Sequence, residues 1–417
     1  MPPFLGRVPQ GLERSHVSLL GLIALGLLFE QYDLSIINSA IKHIADDLGM
    51  AVEDIGYYTG AVRLGGLLTF LLVPFADRVG RRRMFLLALV GMSVLTLATA
   101  FVLTPVQYVV VQIAARAFLF TASVLGVVIL VEEFPAVHRG WGLGMLVAVS
   151  AFGYGIGTGL FAAVDALPFG WRALYAMGVG PLLLLPLFRR RLEETARFRR
   201  QSEEGEASAG WLTPIVKLAR THPTRAAAMG TAGFLGAVGT IGVFQYLSPY
   251  VQTVHGWAPW QFSAMVIGGG FLGILGNVVA GRLSDRIGRR RVGFVAFVLY
   301  PAAAYAIYHG AGHTLVLAWI ALTFFGTAGD VVMRALSSEV FPTSHRSTAM
   351  GFMILLQSLG WSVGLVLVST GAGAGLEVAS MVSGMSLAMS LGAFAFLFVP
   401  ESGRRELEEV AREVPRS

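Results

Sequence analysis

The chain has 417 residues, 55% of them hydrophobic and 13% charged, with a mean hydropathy of +0.68. A soluble domain carries roughly 25% charged residues, so a surface that faces water on all sides is excluded. A net charge of +6 and a pI near 9.8 would suit nucleic acid, but the basic residues sit in short loops between apolar runs, which is the pattern of a membrane protein.

A spanning helix needs about 20 apolar residues. In chain order, apolar runs predict helices at 17–45, 55–76, 84–103, 106–131, 141–163 and 171–188. A second set follows at 226–251, 261–283, 292–309, 314–337, 348–370 and 378–399. The first run follows Arg7 and Arg14 as a secretory leader would. It carries Glu30 and Asp33 and lacks a small-residue cleavage site, so it is expected to remain as the first helix. Pro105, Pro259 and the stretch Gly310–Gly312 mark turns. No cysteine is present, so disulfide and thiol chemistry are excluded.

Residues 189–225 form the long polar interruption, with nine basic residues and five acids. Within it, Trp211, Ile215 and Leu218 share a helical face that suits the inner leaflet, and a plain solvated linker is the alternative. The expected organisation is an N-terminal bundle (1–188), a cytoplasmic linker (189–225), a C-terminal bundle (226–400) and a cytoplasmic tail (401–417). With the N-terminus inside, 26 of the 31 Lys and Arg lie in cytoplasmic segments, Lys42 and Arg172 lie outside, and Arg63, Arg116 and Arg334 lie within helices. That asymmetry puts both termini in the cytoplasm.

The two halves repeat each other. Asp77-Arg78-Val79-Gly80-Arg81-Arg82-Arg83 returns as Asp285-Arg286-Ile287-Gly288-Arg289-Arg290-Arg291. Glu132-Glu133-Phe134-Pro135 with His138-Arg139 returns as Glu339-Val340-Phe341-Pro342 with His345-Arg346. Glu194-Thr195-Ala196-Arg197 returns as Glu401-Ser402-Gly403-Arg404.

These motifs resemble the major facilitator superfamily along the whole chain. The signature G-x-x-x-D-R-x-G-R-R is complete at Gly281–Arg290, and the first copy has Val73 in place of the Gly. The E-x-x-P pattern and the ending Pro400-Glu401-Ser402-Gly403-Arg404 are similar to sugar porters and metabolite:proton symporters. Phe29-Glu30-Gln31-Tyr32-Asp33 resembles the F-D-G-Y-D pattern of organic-acid:proton symporters, with Glu and Gln replacing Asp and Gly. The Gln-rich seventh helix of hexose carriers is reduced to Gln245. The resemblance implies an all-α membrane protein with twelve transmembrane helices in two pseudo-symmetric six-helix bundles, working by alternating access. It also implies gating roles for the repeated motifs. Asp77 would latch with Arg139 and Asp285 with Arg346, beside Arg78, Arg81, Glu132, Arg286, Arg289 and Glu339.

Six ionisable residues fall within predicted helices: Glu30, Asp33, Arg63, Arg116, Asp330 and Arg334. Each costs about 2.5–3.5 kcal/mol at mid-bilayer, so each must face protein or water and find a partner. Glu30 and Asp33 share a helix face, and a carboxylate held between burial, a like charge and an Arg is suited to carrying a proton. The expected partner of Asp33 is Arg116, by the family's arginine on helix 4. Asp330 and Arg334 are one turn apart and suited to each other, or Arg334 to a substrate carboxylate. Arg63 is expected to meet Glu30, Asp33 or an anionic ligand. Tyr32, Asn38, Gln245, Tyr246, Asn277, Gln357 and Trp361 are the further candidates for contact with substrate.

The reading is a proton-coupled symporter that imports a small organic anion across the inner membrane as a monomer. Its partners are the substrate, protons and the bilayer, without nucleic acid. No phosphate-binding loop or metal cluster is present in the sequence, so no cofactor, ATP-driven pump or enzyme is expected. The alternatives are an antiporter exporting amphipathic compounds, a symporter of a neutral sugar or polyol, and a receptor without flux.

Overall fold

The computed structural model describes residues 9, 11–195, 218–273, 275–341 and 346–402. The face of Trp211 and Ile215 in the linker, and the side chains of Asp77 and Arg346, lie outside the described residues. Among the described residues, twelve helices are long and apolar enough to cross a membrane. The first six are α1 (Arg14–Ser39), α2 (Val52–Ala76), α3 (Arg81–Thr99), α4 (Pro105–Glu133), α5 (Arg139–Phe161) and α6 (Trp171–Arg191). The second six are α7 (Pro223–Thr253), α8 (Pro259–Ile287), α9 (Arg289–His309), α10 (His313–Ser337), α11 (Gly351–Gly373) and α12 (Val378–Phe398).

Local chemistry sets the boundaries. Pro105 opens α4 where its missing N–H is not needed. There Thr104 Oγ1 accepts the Gln107 N–H at 3.2 Å, and Gln107 Oε1 accepts the Leu103 N–H at 2.8 Å. Three predicted helices are interrupted. The first ends at Ser39, and a separate helix, Ile41–Leu48, follows, closed by Gly49 in the left-handed region. In α2 a 3-10 turn, Gly65–Leu68, separates Ile55–Leu64 from Thr69–Val79. In α6 the prolines Pro181 and Pro186 divide the span into short pieces.

The chain divides into two compact units, one of Met1–Gly49 with Gly65–Ala209 and one of Met50–Leu64 with Gly210–Ser417. This differs from the expected partition, because the first half of α2 goes with the C-terminal helices. It packs on α11 through Gly56 and Gly60, where a Cβ would meet the carbonyl oxygens of Leu365 and Ser362. Tyr57 adds a hydrogen bond to Thr370 Oγ1 at 3.1 Å.

The repeat in the sequence is a repeat in packing. In the first unit α1 packs on α5 and α3 on α4, and in the second α7 packs on α11 and α9 on α10. The first of these contacts is made by glycines. A Cβ on Gly153 would meet the Leu28 carbonyl and one on Gly157 would meet Ser35 Oγ. At the equivalent positions 207 residues later, a Cβ on Gly360 would meet the Phe234 carbonyl and one on Gly364 the Val238 carbonyl. Lipid gives helices no hydrophobic drive to associate, so such close backbone approach carries the packing. The core of the first unit is apolar and includes Ile23, Leu27, Phe85, Leu89, Leu125 and Ile129.

Candidate transport site and repeated charge clusters

In the first unit, α1 turns Glu30 and Asp33 toward α3 and α4. Arg116 of α4 is fully buried, and its Nη2 lies 3.0 Å from Asp33 Oδ2, itself buried. The contact is one of opposite charge rather than an aligned hydrogen bond. Thr96 of α3 donates to Asp33 Oδ1 at 3.3 Å. Glu30 is also buried, with Ser123 as its hydrogen-bond partner and both Arg116 and Asp33 within electrostatic reach. The hydroxyls of Tyr108 and Tyr175 lie 3.2 Å apart nearby on α4 and α6, and Gln112 donates to Thr99 Oγ1 at 3.0 Å. The expected pairing of Asp33 with Arg116 is therefore present, inside a polar cluster sealed among apolar helices. Removing two charges from water costs several kcal/mol each, and close pairing offsets much of that. A proton added to Asp33 would cancel the attraction that holds Arg116.

The second unit contains Arg63. Its Nη2 lies 3.5 Å from Gln245 Oε1, and its guanidinium is 6.0 Å from the Trp361 ring centroid. Two candidates for substrate contact, Gln245 and Trp361, are thus brought to one buried cation, and the indole face attracts it. The remaining candidates are scattered. Tyr246 shares a hydrogen bond with Ser369 at 3.2 Å, and Tyr32 donates to the Leu174 carbonyl at 2.7 Å. Asn38 donates to the Tyr154 hydroxyl at 3.4 Å. Asn277 and Gln357 are half-buried on α8 and α11. Asp330 and Arg334 pair with each other at 2.7 Å on an exposed face of α10.

The repeated basic turns build one network in each unit. Gly80 and Gly288, with φ of 110° and 106°, supply the backbone that starts α3 and α9. Arg81 Nε lies 3.6 Å from Glu132 Oε1, and Arg289 Nε lies 2.7 Å from Glu339 Oε2. Glu194 Oε1 accepts the Arg82 N–H at 3.0 Å. Glu401 accepts the N–H groups of Arg289 at 2.7 Å and Arg290 at 3.2 Å. Carboxylates at helix N-termini satisfy free donors and complement the helix dipole. The three repeated motifs are therefore parts of one device, in which one Glu holds the arginine and the other caps the helix.

Each expected latch has one partner, Asp77 or Arg346, whose side chain lies outside the described residues. Asp285 pairs with Arg289 at 3.1 Å, one turn away, and Arg139 donates to the Phe134 carbonyl at 3.1 Å. Arg78 and Arg286 are exposed. Glu401→Ala is expected to cost about 1–2 kcal/mol by leaving two donors at the start of α9 uncapped. A thermal melt of the purified variant that coincides with the parent would rule out that capping role.

Residue reading alone missed Thr96, Ser123, Tyr108 and Tyr175. They are ordinary polar residues in apolar helices, and only packing places them beside the charges. Residue reading also passed over the glycine pairs, which a pair of small-x-x-x-small patterns at one offset could have signalled.

Comparison with known proteins agrees with this architecture. Residues 23–276 and 261–416 match the Major Facilitator Superfamily. The chain is 26% identical over 410 residues to a gallate transporter of Pseudomonas putida, covering 91% of this chain and 90% of that one. It is 25% identical over 354 residues to a cis,cis-muconate transport protein of Acinetobacter baylyi, covering 81% and 83%. Among solved structures, a D-xylose-proton symporter superposes with a TM-score of 0.76 at 18% identity over 93% of this chain and 98% of that one. The motif spacing, the twelve helices, the packing repeat and these matches converge: the chain belongs to the Major Facilitator Superfamily and is a multi-pass membrane transporter rather than an enzyme.

Proposed function

We propose that the protein imports a small organic anion, a carboxylate, together with protons, by alternating access in the inner membrane with both termini in the cytoplasm. The observation that carries this reading is the sealed cluster of Glu30, Asp33 and Arg116, with Asp33 and Arg116 in contact at 3.0 Å. A buried acid that holds a buried cation by charge alone changes its grip on accepting one proton. In this scheme a proton from the outer side neutralises Asp33, Arg116 is released, and the change in α1 and α4 accompanies substrate translocation. On the inner side the proton leaves and the pair re-forms. Glu30 is the second proton carrier.

Gallate and cis,cis-muconate, the cargoes named for two relatives, are both carboxylates. Arg63, with Gln245 and the Trp361 ring beside it, supports an anion with a flat unsaturated body, since a guanidinium grips a carboxylate in bidentate fashion. A neutral sugar is the second reading. It is favoured by the self-contained Asp330–Arg334 pair and by a D-xylose transporter of Levilactobacillus brevis among the relatives, 25% identical over 396 residues.

The deciding experiment follows external pH around energised cells that express the protein. Aromatic and unsaturated carboxylates are expected to alkalinise the medium as they enter. Acidification would mean antiport, and a response to D-xylose alone would overturn the anion. Arg63→Ala is expected to lower carboxylate uptake at least about 10-fold, the loss of one charge-assisted contact of about 1.5–3 kcal/mol.

A further inference from the structure

The second unit holds a cavity of about 870 Å3 at the turn between α8 and α9, bounded also by the end of α12. One wall is basic and carries Arg286, Arg290 and Arg291. Beside it an apolar wall carries Phe294 and Val295, one turn beyond Arg290 and Arg291 on α9, and Leu397, with Val295 and Leu397 exposed.

Two acids line the same cavity against three arginines, so the basic residues are in excess. Asp285 is engaged by Arg289, and Glu401 by the N–H groups of Arg289 and Arg290. Arg290 is fixed against the apolar wall, its Nη2 donating to the Leu397 carbonyl at 2.8 Å. Arg286 and Arg291 are exposed, and neither forms an ion pair with a described residue. A guanidinium cluster of this kind suits a phosphate, which it can grip with paired N–H donors. A free phosphate would leave the exposed apolar wall unused. A lipid uses both walls, with its headgroup at the level of the basic turn and its chains beside α9 and α12. The turn lies on the side that carries most of the basic residues, which the proposed orientation makes the cytoplasmic leaflet, where anionic lipids attract basic segments.

We propose that this cavity binds one anionic phospholipid, with its phosphate against Arg286, Arg290 and Arg291 and its acyl chains along Phe294, Val295 and Leu397. The proposal is independent of what the transporter carries.

The test titrates purified, delipidated protein in neutral detergent with phosphatidylglycerol, with phosphatidylcholine of the same chains, and with glycerol 3-phosphate, counting bound molecules by native mass spectrometry. Phosphatidylglycerol is expected to bind at least about 10-fold more tightly than phosphatidylcholine. Arg286→Gln with Arg291→Gln is expected to lose roughly 30-fold in phosphatidylglycerol affinity, the worth of two basic residues near a membrane surface. Arg190→Gln with Arg191→Gln removes the same charge elsewhere and leaves the affinity unchanged. Arg286→Lys with Arg291→Lys keeps the lipid preference, which separates loss of charge from misfolding. Equal binding of the two lipids, wild-type affinity in the Gln pair, or loss of preference in the Lys pair overturns the proposal. Glycerol 3-phosphate binding as tightly as the lipid would make this a soluble-anion site and would overturn it equally.

Discussion

Asp33→Asn is expected to abolish proton-driven accumulation, lowering uphill uptake at least about 100-fold, while substrate exchange between loaded and unloaded vesicles persists. Exchange needs only the loaded carrier to reorient, whereas accumulation needs a proton to be taken up and released. Asn cannot carry that proton. It also leaves Arg116, fully buried, beside a neutral partner. Removing one member of a buried pair costs about 3–5 kcal/mol, so the variant is also expected to melt earlier. Glu30 lies in electrostatic reach of Arg116 and tempers that loss. Asp33→Leu with Arg116→Leu separates the two effects. Removing both charges is expected to restore stability toward the parent, because a buried ion pair contributes little net stability. It is not expected to restore accumulation. Asp33→Asn protein that accumulates substrate like the parent would exclude Asp33 as the coupling acid. Loss of exchange together with accumulation in the stable double variant would reduce the pair to a structural role.

The second large effect lies in the glycines of α5. Gly153→Val and Gly157→Val are each expected to destabilise the protein by about 3 kcal/mol or more, at the upper end of overpacking costs. The obstacle is the Leu28 carbonyl for Gly153, and Ser35 Oγ with the Tyr32 carbonyl for Gly157. Backbone cannot step aside as a flexible side chain can. The displaced segment of α1 carries Asp33, so coupling should suffer with stability. Gly155 lies on the same helix between them, with nothing within 4 Å of its would-be Cβ. Gly155→Val is therefore the internal control, and near-parental melting is expected. Gly360→Val should behave like Gly153→Val, because the second unit repeats the contact. Identical melting temperatures for the Gly153 and Gly155 variants would show that the close approach of α1 and α5 does not hold the unit together.

The local pattern of the chain was enough for the helices, their number and their approximate ends. In lipid every backbone group must be satisfied within its own helix, so apolar length translates directly into spans. The charge asymmetry of the loops and the motif repeat were equally local, and they pointed to the superfamily before any contact was known. The interruptions at Gly65–Leu68 and Ala40 were not anticipated. At Gly65 the break coincides with the close approach of the Ile113 carbonyl, which the local pattern does not reveal.

The site divides the same way. That Asp33, Arg116, Asp330 and Arg334 need partners was legible because uncompensated charge is too costly within apolar helices; Asp330 and Arg334 lie one turn apart, and Arg116 was matched to Asp33 by the family resemblance. The closeness of Arg63 to Gln245 and Trp361 was not legible, since it depends on which unit the first half of α2 joins. The charge of a residue determines that a partner is needed, and only packing decides which one. The roles of Glu194 and Glu401 as caps of α3 and α9 are a case in point: the sequence displays both in the repeat, but the distance of over 100 residues to the helix each one caps is closed by the tertiary fold alone. Composition and periodicity thus determined the class of molecule. Which charges meet and which helices touch through glycine were decided by three-dimensional packing, because those contacts join residues far apart in the chain.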